Sequence, residues 1–425
     1  MNAIRQLMGE NSWTLRGIRI LDPARGMDAM GDLYCVNGLL SDKPDASAPV
    51  ADVRGSDSPL IAMPAAIDLH VHFRQPGNEA AETVATGLAA AAAGGFGTVV
   101  AMPNTSPALD SPAALSQQNA FAADASEKRV RYLLSACCTQ ARSGRSVAPL
   151  EALAEAGCVA FTDDGAMVAD DAVMAEVMRR AAALHLPVMD HAVVPSLAGK
   201  GVIREGKGVQ PAHAAIFPDV AEVAAVARDL RLAKETGAHI HIQHLSCAES
   251  VWHLAIAQAE GVRATAEATP HHLLLCREEI PSDDGNWKMN PPLGTAEDRA
   301  VLRQAVLDGT IGCLATDHAP HTAESKARGF SGSPFGVIGL ETALAASWKA
   351  LVVETGMKPL DWAARWTTGP ASVLGLPSPS FAVGAPARVS VLSQEEWTPD
   401  FSAFCSRSRN CPFTMSLPLR VLALL

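Results

Sequence analysis

The sequence predicts an α/β chain: a (β/α)8 TIM-type barrel carrying a small satellite β-domain built from both the N- and C-terminal segments. Three observations predict it. Between residues 65 and 376, apolar runs of strand length alternate with alanine-rich helical stretches, the pattern of βα units on a parallel sheet. There are eight such runs, the number with which a barrel of this kind closes. Each run ends in a polar or ionisable cluster, and in such a barrel all the strand C-termini open onto one face.

Taken in order, residues 1–64 carry short β-type runs, Leu15–Leu21 and Leu33–Val36, divided by Gly, Asp and Pro turn signals. They read as the N-terminal part of the satellite domain. The barrel, residues 65–376, has its strands at Ala66–Phe73, Gly97–Met102, Arg131–Cys137, Cys158–Thr162, Pro187–Asp190, His239–His244, Arg263–Glu267 and Ile311–Thr316. Helices are expected at Ala80–Ala93, Ala148–Ala156, Asp171–Leu184, Val220–Thr236, Ala248–Ala259 and Ala296–Asp308, the first stopped by Gly94 and Gly95. After Leu376, Pro and Ser punctuation returns and Ala387–Leu392 reads as another β-run. Residues 377–425 are therefore the C-terminal part of the satellite domain, expected to be shortened at its end.

Composition narrows the function classes. With 425 residues, 48% of them hydrophobic, the chain can bury a large core. A net charge of −11 without Lys/Arg-rich runs argues against a nucleic-acid surface, which must neutralise phosphates. No apolar run is long enough to span a membrane, and Met1 to Ile20 lack the unbroken apolar core of a signal peptide. Nine cysteines form no CxxC pair, so reduced thiols in the cytoplasm are expected rather than a disulfide framework. A small-molecule partner is the remaining expectation.

The chemistry sits at the strand ends. His70 and His72, two apart on a strand, face one side and can share a metal. Arg74 follows, a planar cation suited to a carboxylate. After strand four come Asp163 and Asp164; either can bridge two cations, while Gly165 supports a turn or helix cap for one of them. His191 follows strand five and His244 strand six. Asp317, after strand eight, suits a metal ligand, a proton shuttle or both. Nitrogen and oxygen donors without thiolates point to zinc, with manganese or cobalt as substitutes. His185, His213, His239 and His253 lie away from that face, His241 reads as packing, and the pair His271-His272 reads as supporting or structural.

The motifs AIDLHVHFRQPG (66–77), AMPNTSP (101–107), AFTDDG (160–165), PVMDHA (187–192), HIHIQHLS (239–246), MNPPL (289–293), ATDHAPH (315–321) and IGLETAL (338–344) resemble those of the dihydroorotases, within the amidohydrolase superfamily. The resemblance implies that His70, His72 and Asp317 bind one metal, that His191 and His244 bind a second, and that Asp164 bridges them. Two zinc ions per subunit are implied, with one as the alternative. It also implies substrate contacts from His72, Arg74, Asn104, Asn290, His321 and the backbone at Phe335 and Gly336, with Asp317 as the catalytic proton carrier. Hydantoinases, allantoinases and the other dihydroorotase class use a carbamylated lysine after strand four; here no lysine lies between Lys128 and Lys200.

The implied reaction is reversible hydrolysis of L-dihydroorotate to N-carbamoyl-L-aspartate in pyrimidine (UMP) biosynthesis. The alternatives are another cyclic-amide hydrolase and a non-catalytic scaffold for aspartate transcarbamoylase. Self-association or association with that transcarbamoylase is an expected partnership. Three positions depart from the family pattern: Gln75 stands where an acidic residue is common, Gly294 where Arg often follows NPPL, and a short apolar end where a closing strand and turn are expected.

Overall fold

Residues 2–425 are described by the computed structural model, in which the strand and helix alternation becomes an eight-stranded parallel sheet rolled nearly closed. Its strands follow one another in space as in sequence: Ala66–Val71, Phe96–Ala101, Arg131–Ala136, Ala160–Phe161, Val188–Asp190, Ile240–Ile242, Ala264–Ala268 and Cys313–Leu314. Every residue of strands one and two is buried, as expected where helices cover one face and the barrel interior the other. Ile67, Leu69, Val100, Met102, Met189 and Ala315 pack together in one core, while a larger one joins the strands to the surrounding helices. Strands one and eight share no ladder: their backbones meet at the C-terminal ends through a bridge between Val71 and His318, in which His72 N donates to His318 O at 2.9 Å, and the Asp68 side chain accepts from Thr316 N at 3.0 Å.

The ladders stop one or two residues short of the expected ends in most strands, because the chain leaves the sheet as it reaches the polar clusters. Strand one also carries a bulge. Asp68 pairs with Val99 and Val71 with Ala101, so three steps on one strand match two on its neighbour. A bulge re-aims side chains, and this one lets His70 and His72 face inward above Ile67 and Leu69.

Helices Val220–Thr236, Ala248–Ala259 and Ala296–Asp308 span the stretches their composition marks. The last has a reciprocal cap, Thr295 accepting from Asp298 N while Asp298 accepts from Thr295 N, and it stops at Gly309 with φ 92°. The first barrel helix starts at Val84, four residues later than expected, because Thr83 and Thr86 form its cap and Gln75 Oε1 accepts from Val84 N at 3.0 Å. A helix at Pro112–Asp124, capped by Ser111, was not among those expected.

A second sheet of seven strands lies outside the barrel. Its order is Arg420–Leu424, Val389–Ser393, Leu60–Pro64, Trp13–Asp22, Met27–Val36 and Leu39–Ser41, with Val50–Asp52 also pairing to Trp13–Asp22. Both chain ends thus build one layer, around a core that includes Trp13, Leu15, Ile18, Leu33 and Val391. The apolar end, expected to stand in place of a closing strand, is itself a strand: Ser390 pairs with Leu424 and Val391 with Ala423, antiparallel. Among the described residues, no helix is long and apolar enough to cross a membrane.

Candidate active site

Six ionisable side chains converge where strands one, four, five, six and eight end. His70 is fully buried; its Nδ1 lies 2.8 Å from Glu267 Oε1, which leaves Nε2 facing the cluster without a hydrogen-bond partner. That Nε2 is 3.4 Å from Asp164 Oδ1 and 3.5 Å from Asp317 Oδ1. His72 Nε2 is 3.6 Å from Asp164 Oδ2 and 3.1 Å from Asp317 Oδ1. On the other side of Asp164, His191 Nδ1 approaches Asp164 Oδ1 at 3.8 Å and His244 Nε2 at 2.8 Å. Asp164 is thus shared by two groups, with His70 and His72 on one side and His191 and His244 on the other.

The donor set fits divalent cations. Ligands bound at zinc distances in a tetrahedron stand about 3.3–3.6 Å from one another, and the first group's spacings of 3.1–3.6 Å match those edges. A buried, unpartnered ring nitrogen is costly by itself, and a metal at this position would satisfy it. Burial opposes the charge of Asp164, yet the imidazoles of His72, His70 and His191 hold its pKa well below the usual carboxylate range. Burial, together with the neighbouring imidazoles, holds His244 well below the ordinary histidine value, in the neutral form that ligation requires.

The two adjacent aspartates separate cleanly. Asp163 turns away from the cluster, accepting from Thr139 N at 3.1 Å and from the Thr139 hydroxyl, and burial raises its pKa to about 6. Three of the residues at the strand ends, Arg74, His244 and Asp317, have φ of 58°, 30° and 47°. Left-handed backbone at non-glycine residues is strained and concentrates at functional sites.

Around the cluster lie the remaining expected residues. Asn104 links His72 to Asp164, with Oδ1 3.0 Å from His72 Nδ1 and Nδ2 donating to Asp164 Oδ2 at 2.8 Å. Asn290 Nδ2 is 2.9 Å from His191 Nε2. Arg74 donates from Nε to Pro320 O at 3.2 Å and, among the described residues, pairs with no carboxylate. His321 Nε2 meets Phe335 O at 2.6 Å; burial and the charge of Arg74 push its pKa down to about 3, so it is neutral. Gly336 has φ 129°, and a Cβ there would come within 2.7 Å of the Ala319 side chain.

Several contributors escaped the sequence reading. Glu267, at the end of strand seven, bonds His70 through one oxygen and His241 through the other at 3.1 Å, so His241 belongs to a polar network rather than to packing. A lone acid closing an apolar strand was the available signal. Asn410, in the tail, donates to Ala319 O at 3.1 Å and Gly336 O at 3.0 Å and accepts from His321 N at 3.1 Å. Arg142 donates to the main-chain carbonyl of Asp164. No local pattern marks these two. His272 Nε2 lies 3.0 Å from Pro291 O, beside Asn290. At Gly294 a Cβ would lie 2.6 Å from Ser246 O, which explains why this backbone accepts no larger residue.

A nearly closed barrel with two histidine and carboxylate groups sharing one aspartate at its strand ends defines a metal-dependent cyclic amidohydrolase. The model of the family described as Dihydro-orotase-like matches residues 60–250. The chain is 43% identical over 381 residues to a dihydroorotase of Bacillus caldolyticus, covering 89% of this chain and 88% of that one. It is 38% identical over 404 residues to a dihydroorotase of Pelotomaculum thermopropionicum, covering 94% and 93%. The chain belongs to the dihydroorotase family. Among solved structures, an L-hydantoinase from Arthrobacter aurescens superposes with a TM-score of 0.83 over 98% of this chain and 95% of that one; at 23% identity the likeness is one of fold.

Proposed function

We propose that this protein is a dihydroorotase of the class with an aspartate between its metals, hydrolysing L-dihydroorotate reversibly to N-carbamoyl-L-aspartate in de novo pyrimidine biosynthesis. The observation that carries the reading is an unpaired guanidinium, Arg74, beside the shared carboxylate of Asp164 in a strand-four region free of lysine. The guanidinium suits the carboxylate of an acid-bearing cyclic amide, and the aspartate in a lysine-free strand-four region fits this class rather than the one with a carbamylated lysine. A neutral ring such as hydantoin has no use for the guanidinium.

In this reading His70, His72 and Asp317 would hold one zinc, His191 and His244 would hold a second, and Asp164 would serve both. Bound cations would lower the pKa of water and polarise the ring carbonyl. The protein's own groups do the rest. Arg74, Asn104 and His321 bind the substrate carboxylate, while His72, Asn290 and the backbone of Phe335 and Gly336 orient the ring. Asp317 accepts a proton from the attacking water and returns it to the ring nitrogen as the C–N bond breaks and the new C–O bond forms. Its Oδ1, within 3.5 Å of both His70 and His72, lies at the centre of the first group.

All nine cysteines are free thiols, which supports placement in the cytoplasm. Self-association or association with an aspartate transcarbamoylase belongs to the same reading, and sedimentation of the protein alone and with that partner tests it. Activity is tested by metal analysis of the purified protein with assays on dihydroorotate, hydantoin and allantoin. Turnover of dihydroorotate with about stoichiometric bound zinc is expected; turnover of hydantoin or allantoin with dihydroorotate inert would overturn the assignment.

A further inference from the structure

Next to the candidate site, two lysines are buried with no ion-pair partner among the described residues. Lys288 lies two residues before Asn290, and Lys326 ends the short helix Ala323–Lys326 that follows His321; each is 4% exposed. Both ammonium groups turn inward onto main-chain carbonyls. Lys288 Nζ donates to Ser331 O at 2.9 Å and Ser333 O at 2.7 Å, and stands 4.6 Å from the centre of the Phe335 ring. Lys326 Nζ donates to Pro334 O at 3.0 Å and Lys288 O at 3.1 Å. Gly336 N also donates to Lys288 O, at 3.0 Å, while His321 Nε2 meets Phe335 O. Four carbonyls of segment 331–335 are therefore held by three side chains reaching in from two other stretches of chain.

We propose that Lys288 and Lys326 are positioning residues for substrate: together they clamp segment 329–336 so that the backbone of Phe335 and Gly336 faces the ring beside Asn290. This rests on the reading of Phe335 and Gly336 as substrate contacts. Sheer fold maintenance does not call for two buried ammonium groups, since burying such a charge is costly and neutral donors would satisfy the same carbonyls. The arrangement does give the segment a dependence on protons. Burial, followed by the charge of Lys288, pushes Lys326 down to about 7, with Asp284 acting the other way. The other ionisable groups near the segment are Arg328, whose side chain lies beside Gly332, Asp283, which accepts from Phe330 N at 2.8 Å, and His321, which is neutral throughout this range.

With the segment open, Lys326 returns to the ordinary lysine value of about 10.4. Between that value and about 7 the closed form binds fewer protons than the open form, so closure strengthens as pH rises and levels off below the lower value. The neutral amine keeps two N–H donors, enough for Pro334 O and Lys288 O.

The test is amide hydrogen exchange of residues 329–336 in the metal-loaded protein without substrate, at about pH 6 and about pH 8.5, corrected for intrinsic exchange. Wild type, Lys326→Met and Lys326→Arg are compared, with KM and kcat for dihydroorotate measured on each. Wild-type protection is expected to rise with pH, by up to about tenfold per unit above pH 7. Lys326→Met is expected to lose about tenfold in protection at the higher pH and to raise KM more than it lowers kcat. Lys326→Arg, which cannot lose its proton, is expected to show no pH dependence. Wild-type protection that ignores pH, or a Lys326→Met protein protected like wild type, would overturn the clamp. The expected exchange pattern with an unchanged KM would overturn its role toward substrate while leaving the dihydroorotase reading intact; the same pattern in a wild type inert on dihydroorotate would locate the failure in that reading instead.

Discussion

Glu267 reaches the candidate metal groups without belonging to them. By accepting from His70 Nδ1 it fixes the tautomer that leaves Nε2 bare, and burial of its charge is offset by His70 and His241, which bring its pKa down to about 2. Partners of this kind behind a metal-binding imidazole typically carry about 10–100-fold in metal affinity. Glu267→Gln is therefore expected to weaken zinc binding by about that factor in a chelator competition, with a thermal midpoint near wild type in the metal-saturated protein. Asp317→Asn separates the other role: folded and metal-containing protein with most turnover gone is expected, and unimpaired kcat would refute the proton transfer. At this scale the sequence exposed the residues with strong local context, such as His70 and Asp317 at strand ends. It could not choose between Asp163 and Asp164 by spacing, because the choice is made by Thr139, which draws Asp163 into a turn from strand three's side.

The barrel's connecting segments carry information that strand and helix periodicity does not. Helices Val220–Thr236, Ala248–Ala259 and Ala296–Asp308 were legible to the residue, whereas the alanine-rich first helix begins four residues later than read and Pro112–Asp124 was missed, its buried face being limited to Ala114, Leu115 and Gln118. Strand ends were read too long, since polar clusters that look continuous with a strand have already left the ladder at Arg74, His244 and Asp317. The tail around Asn410 carries no local pattern that marks it, yet it ties the loop after strand eight to the one at Gly336 through three hydrogen bonds. Asn410→Ala would leave buried main-chain groups unmet at about 1–3 kcal/mol each. We expect KM for dihydroorotate to rise several-fold more than kcat falls; kinetic constants identical to wild type would show that the tail does not hold the site's wall.

Over the whole molecule, the alternation of apolar runs was sufficient for the barrel because a parallel strand buried on both faces has to read as continuous apolar sequence. The satellite sheet was harder to delimit. Its strands come from residues 13–64 and 389–424, and no local signal states that Leu60–Pro64 sits between Trp13–Asp22 and Val389–Ser393. The final strand is five residues long and shows no polar alternation, so it looked like an ending rather than an element. Pairing with Val389–Ser393 is what makes it one.

The bridge between Val71 and His318 gives the cylinder a seam. Seven neighbouring strand pairs are zipped by ladders, and the eighth is joined at its rim, beside His70, His72 and Asp317. Ions shared by side chains from both lips of that seam would act as rivets, tying catalytic loading to mechanical closure. A ligand at a hundred times its dissociation constant stabilises the folded state by about 2.7 kcal/mol. Stripping metal with a chelator should therefore lower the thermal midpoint and speed amide exchange first in residues 66–73 and 313–321. Loosening that began instead at strands three to five would mean that the cylinder stays shut without its rivets.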